Sequence, residues 1–193
     1  MHFFLLLAGS YLLGAVPFGY LFGRLKGIDL RAHGSGNIGT TNAFRVLGRK
    51  AGIVIFLCDF TKGLIPAFLG ETLLGPGWGV AAGLAAIIGH NWSVFLGFRG
   101  GRGVATGAGV VLALMPEVIL LAFGIWVVVV FLTGYISLAS IVAALSVPVI
   151  AFFLHEPLIY FLFAIPAPLF IVIKHLPNIR RLQKGTETRI RFR

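Results

Sequence analysis

Between Arg31 and Arg45 the chain reads RAHGSGNIGTTNAFR, a dense run of groups able to donate hydrogen bonds. Gly34, Gly36 and Gly39 alternate with Ser35, Asn37, Thr40, Thr41 and Asn42, and Arg45 closes the segment. Glycine lets successive backbone N–H groups converge on an anion. Hydroxyls and amides add donors, and arginine offers a two-pronged fork for phosphate. Binding of phosphate or carboxylate is the chemistry this pattern could do; a polar loop leading into a helix is the plainer alternative. The letters GSGNIG also satisfy GxGxxG, but that fingerprint needs a preceding strand, and a long apolar run precedes it here. No GxxxxGK[ST] loop occurs.

Two further segments carry candidates. GHNWSVFLGFRGGRGVAT, Gly89 to Thr106, sets Arg102 between Gly101 and Gly103, so backbone N–H groups and a guanidinium can face one ligand. His90 lies within an apolar run, where a histidine is either functional or packed with one hydrogen bond. KHLPNIRRLQKGTE, Lys174 to Glu187, places His175 and Asn178 three apart, on one face of a helix if Pro177 sits near its start. Arg189, Arg191 and Arg193 beyond it read as membrane-retaining charge. Asp59 and Lys62 share a face inside another apolar run, where a pair either braces a bundle or touches substrate.

The elements that must position these residues are membrane spans. Of 193 residues, 58% are hydrophobic and 11% charged, against about 25% charged in a soluble domain; the mean hydropathy is +0.98. Cys58 is the only cysteine, so no internal disulfide forms. Apolar stretches run over residues 3–23, 51–70, 78–98, 104–115, 117–133, 137–154 and 157–174. A crossing takes about 20 residues; the fourth stretch covers only about 18 Å. Its start therefore lies below the membrane surface, with Gly100 to Gly103 as non-helical backbone beside a cavity. Gly79 with Gly83, and Gly103 with Gly107, have the spacing of close helix contacts.

Net charge is +10. In a soluble protein that balance would suggest nucleic acid; here it reports sidedness. Seven spans place 15 of the 16 Lys and Arg on one side, with Lys62 inside a span and Glu71, Glu117 and Glu156 opposite. Six spans would put the basic tail opposite the first loop. The expectation is an all-α integral membrane protein, a single transmembrane domain over residues 1–193. It has seven transmembrane helices, the N-terminus outside and the C-terminus cytoplasmic. The first span is retained, since nothing before it resembles the basic region of a signal peptide.

Several chemistries drop out. None of the five histidines has an aspartate five positions on, zinc-type Cys/His spacing is absent, and no aspartate cluster exists to hold a metal. No internal repeat appears, which counts against a transporter built from repeats. A small organic-phosphate transporter or channel remains the rival to an enzyme.

The three segments, in order and spacing, resemble the bacterial acyl-phosphate:glycerol-3-phosphate acyltransferases over nearly the whole chain. The resemblance implies transfer of an acyl group from acyl phosphate to the 1-hydroxyl of glycerol 3-phosphate, the first step of phospholipid synthesis. Lysophosphatidic acid and phosphate would be the products. It further implies no cofactor, no metal, no nucleic acid, a monomer in contact with membrane lipid, and a site on the cytoplasmic side of the cell (inner) membrane. Carried over by position, Ser35, Arg45, Arg102 and His175 would be catalytic. Gly34, Gly36, Asn37, Gly39, Thr41, Asn42, Gly101, Gly103, Asn178 and His90 would bind substrate. The chain departs from the family pattern at Arg99 and Arg102, where lysine is usual, at Ser93, where proline is usual, and at Thr40, where alanine is common. Arginine keeps the charge but presents a planar fork.

Overall fold

The computed structural model describes residues 2–190, so Arg191 and Arg193 lie outside the described residues. Every regular element among these is helical. Contacts gather the chain into two compact units, one ending at Leu114 and the other beginning at Met115.

The first unit holds α1 (His2–Ala15), α2 (Phe18–Leu25), α3 (Thr40–Leu47), α4 (Arg49–Leu74), α5 (Pro76–Asn91) and α6 (Val104–Leu114). The first apolar stretch, expected as one helix, is broken at Val16-Pro17 and bends by 40°. Pro17 has no N–H to continue the ladder and restricts the residue before it. The segment expected as a loop contains a helix, α3, that starts behind Gly39. Its apolar side completes a small core of Leu30, Ala43, Leu47, Ala51 and Ile55. At roughly 1.5–3 kcal/mol for each large side chain buried, this core fixes the connection between α2 and α4.

Helix α4 packs on α5 and α6, and α1 packs on α5. The approaches are set by missing side chains. A Cβ on Gly63 of α4 would run into the Thr106 carbonyl, and one on Gly109 of α6 into the Phe60 carbonyl. Gly14 faces Ala86 and Gly89 faces Tyr11 in the same way, between α1 and α5. Gly79 and Gly83 lie against Leu114 and Val110 of α6, the packing role their spacing suggests. Gly103 does not share it. It precedes α6 at φ +79° and serves as a turn residue.

The second unit holds α7 (Pro116–Thr133), α8 (Ile136–Phe153), α9 (Leu158–Ala164), α10 (Pro166–Lys174) and α11 (Leu176–Gln183). Prolines open α7 and α10, where the missing N–H costs nothing. Phe131 is 74% exposed and Phe153 70%. Apolar side chains exposed on so many sides of a helix belong in lipid. After Lys174 the chain bends by 58° into α11, with Pro177 in the first turn as expected.

Among the described residues four helices are long and apolar enough to cross a membrane, or six counting each bent pair as one span. Helix α6 is shorter, at 11 residues. The protein is an all-helical integral membrane protein.

Candidate active site

Asn42, on α3 and 1% exposed, organises the glycine-rich loop. Its Oδ1 accepts from the Ser35 N–H at 2.9 Å. Its Nδ2 donates to the carbonyls of Leu30 (3.1 Å), His33 (3.0 Å) and Asn37 (2.8 Å). Asn37 Oδ1 in turn accepts from the Gly39 N–H at 2.9 Å. Both amides, placed by sequence among the substrate ligands, thus hold the loop's own backbone. A Cβ on Gly34, at φ +60°, would collide with Asn42 Oδ1. The N–H groups of Ser35, Gly36 and Gly39 are engaged within the loop. At the start of α3, Thr40 and Thr41 carry the N–H groups that a helix leaves without internal partners. Ser35 is half-buried, and Arg45 is exposed in the last turn of α3. At the loop's entrance Arg31 makes a two-pronged contact with Asp29, and that hydrogen bonding holds the Asp29 carboxyl at about 2.

The second segment is folded onto the end of α5. The Gly101 N–H donates to the His90 carbonyl at 3.0 Å. A Cβ on Gly100 would strike that carbonyl, and one on Gly101 the His90 ring. Residues 99–103 are non-helical, as expected. Gly101 and Gly103 are buried and Arg102 is half-buried between them. His90 itself is 6% exposed, with Nδ1 3.8 Å from Asp59 Oδ1, too long for a hydrogen bond. Asp59 pairs with Lys62 at 2.7 Å. These groups meet at a narrow crevice with no room for a water molecule, with Ile38 of the glycine-rich loop and Ser93 on its walls.

In the second unit His175 caps the junction of α10 and α11 and is 2% exposed. Its Nδ1 lies 2.7 Å from the Ile171 carbonyl. A carbonyl only accepts, so Nδ1 carries the proton of this contact. Asn178 Nδ2 donates to Glu187 Oε1 at 2.7 Å. Glu187 also receives the Ser137 hydroxyl at 2.7 Å and Arg181 Nε at 2.6 Å. Burial raises its pKa, but the three donors outweigh burial and hold it below the ordinary glutamate range. Arg189 donates to the Thr133 carbonyl at 3.1 Å, so part of the tail folds back onto the α7–α8 turn.

Sequence reasoning missed Glu187 as the anchor of Asn178 and Arg181, although it stands as the one carboxylate in a basic tail. It gave no sign of the parts played by Ser137 and Ser93. Among the described residues no group of three His, Cys, Asp or Glu could hold a metal ion.

A helical, membrane-embedded protein with glycine-rich, basic segments between its spans is the class these features define. The model of the glycerol-3-phosphate acyltransferase family matches residues 4–185, and the chain belongs to that family. It is 46% identical over 187 residues to glycerol-3-phosphate acyltransferase 2 of Moorella thermoacetica, covering 96% of each. To the glycerol-3-phosphate acyltransferase of Geobacter sulfurreducens it is 44% identical over 189 residues, covering 97% of each. Among solved structures it is similar to PlsY, an integral membrane glycerol 3-phosphate acyltransferase, in its glycerol 3-phosphate form. That likeness has a TM-score of 0.96 at 41% identity and covers 99% of this chain and 96% of that one. The lysophosphatidic acid form of PlsY gives 0.93 at 40% identity, with the same coverage.

Proposed function

We propose that this protein transfers a fatty acyl group from acyl phosphate to the 1-hydroxyl of glycerol 3-phosphate, releasing lysophosphatidic acid and inorganic phosphate. The observation that carries the reading is its likeness, along nearly the whole chain, to an acyltransferase solved with glycerol 3-phosphate and with lysophosphatidic acid. Acyl phosphate as donor is favoured by the residue inventory. A mixed anhydride has a good leaving group, so a hydroxyl can attack it without a strong protein base.

In the proposed step the hydroxyl oxygen bonds to the acyl carbon and the bond from that carbon to the phosphate oxygen breaks. The proton leaves with the departing phosphate. Positioning and electrostatics then supply most of the acceleration. Arg45, Arg102 and the N–H groups at the start of α3 neutralise phosphate charge. Ser35 or His175 orients the acceptor, and the glycines at 34, 36, 39, 101 and 103 let backbone approach. Thr41 adds a donor, while Asn37, Asn42, His90 and Asn178 keep these groups in place.

The enzyme works as a monomer in the cell membrane, with seven crossings, the N-terminus outside and the site facing the cytoplasm. Support for this topology is the distribution of charge, with 15 of the 16 Lys and Arg falling on one side. The test uses vesicles carrying the purified protein, palmitoyl phosphate and labelled glycerol 3-phosphate. The expected result is lysophosphatidic acid and phosphate in equal amounts. Passage of the label across the vesicle without product would mean an organic-phosphate transporter instead.

A further inference from the structure

The break between α1 and α2 is held by groups from two other parts of the first unit. Helix α1 ends at Ala15, and the last carbonyls of a helix have no partner of their own. Ser93, in the turn after α5, donates its hydroxyl to the Ala15 carbonyl at 2.6 Å. Lys62, on α4, donates to the Val16 carbonyl at 2.9 Å. Lys62 is 2% exposed and Asp59, its ion-pair partner, 3%. A charge so deep is costly unless paired, so the protein has retained an expensive arrangement at a position where a plain apolar contact would be cheaper.

Beyond the break, α2 is pressed against the glycine-rich loop. A Cβ on Gly19 would run into the carbonyl of Ile38, and Ile38 is 8% exposed. Ile38 is enclosed by Asn37 and Gly39, whose own hydrogen bond leads into α3. Backbone touching backbone leaves no slack, so a shift of α2 is a shift of the loop. The same crevice is walled by Lys62, Asp59, Ser93 and Ile38.

We infer that Lys62, held by Asp59, together with Ser93 are positioning residues for the reaction: they lock the α1–α2 break, and through Gly19 and Ile38 they set the glycine-rich loop. The inference rests on the reading of that loop as the holder of a substrate phosphate. None of the three touches the reacting atoms in this scheme. Their effect is on how well the loop is preformed, and a loop ordered beforehand binds its ligand without the cost of ordering it.

The test compares the full-chain protein with Ser93→Ala and with two uncharged double variants, Asp59→Asn/Lys62→Met and Asp59→Asn/Lys62→Gln. Removing both charges avoids a stranded ion. Turnover is measured with palmitoyl phosphate against glycerol 3-phosphate, and hydrogen exchange is followed at residues 33–39 and in α8. Loss of one well-placed hydrogen bond corresponds to on the order of tenfold in an equilibrium. Ser93→Ala and the Met variant are therefore expected to raise KM for glycerol 3-phosphate about tenfold, with kcat little changed. Exchange at 33–39 speeds up while α8 stays as it was. The Gln variant, which keeps a donor for the Val16 carbonyl, recovers part of the loss. Wild-type KM and loop exchange in folded Ser93→Ala and Met variants would overturn the inference. If the double variants do not fold, Ser93→Ala, which deletes a single hydroxyl, decides alone. Arg45→Ala separates the two levels. If it leaves KM unchanged while Ser93→Ala loosens the loop, the phosphate reading fails and the positioning stands. If it raises KM while Ser93→Ala does nothing, the positioning fails and the phosphate reading stands.

Discussion

Replacing Asn42 with alanine should disable the protein by loosening one loop while leaving the helices intact. The Asn42 amide has two N–H protons and one oxygen, and four backbone groups of the loop converge on it. Its two protons serve three carbonyls, so one proton is shared, and its oxygen takes one N–H, about three full bonds in all. At about 1 kcal/mol net for each, the loop loses roughly 3 kcal/mol of ordering, or on the order of a hundredfold in its ordered population. The Leu30 carbonyl, in a fully buried residue, would keep only the long 3.4 Å bond from the His33 N–H, which adds to the cost. Trypsin reads the loop directly, because Arg31 is exposed within it. Cleavage after Arg31 should accelerate at least about tenfold in Asn42→Ala, scaling with the open population, while kcat/KM falls by about a hundredfold. Asn42→Asp keeps the acceptor but loses both donors, and should be no better. A variant that loses activity while its loop resists trypsin like wild type would refute this reasoning and make Asn42 a direct ligand.

Other perturbations follow from the same structure. Gly101→Ala puts a methyl group into the His90 ring and should cut turnover at least about tenfold, whereas Gly124→Ala, where a Cβ meets nothing, should leave it unchanged; parallel initial-rate assays compare them. Glu187 has a folded pKa below its ordinary value, so its contribution is full above the unfolded pKa and is lost as pH falls through the folded one. Tail docking, followed by proteolysis at Arg181 and Lys184, should be constant from neutral pH to about pH 5 and fail only below about pH 4; Glu187→Gln should remove that acid transition. Leu30→Ala, in the core beneath the loop, should lower stability by about 2–5 kcal/mol in a denaturant titration monitored in micelles. Arg102→Ala should raise KM for glycerol 3-phosphate, with Arg102→Lys restoring part of the affinity, because lysine keeps the charge but not the fork.

The apolar runs were legible because a span needs so many consecutive apolar residues that composition alone marks it. Six of the seven stretches are covered by α-helix, the first as a bent pair, while the third, over residues 78–98, leaves the α-helix after Asn91. Pro17 stands within the first stretch, yet its apolar length alone predicts one helix there. Whether a proline kinks or breaks a span depends on what receives the freed carbonyls. Here the receivers, Lys62 and Ser93, lie 46 and 78 residues away. Helix α3 was hidden by its polar, glycine-flanked start, and only its contact with Leu30 and Ile55 explains it. The candidate residues themselves stood out by type and spacing. Their division of labour did not, because an amide that binds backbone and one that binds ligand look the same in one dimension. Asn42 and Asn178 illustrate this: each faces partners fixed by the fold, and for Asn178 the partner is a glutamate that Ser137, 50 residues away, also holds.

The most direct measurement of the central claim gives the purified protein labelled glycerol 3-phosphate with palmitoyl phosphate in one tube and palmitoyl-CoA in another. Lysophosphatidic acid should form with acyl phosphate alone, and one phosphate should appear for each product molecule. Product from palmitoyl-CoA, or none from either donor with protein shown to be folded, would contradict the account.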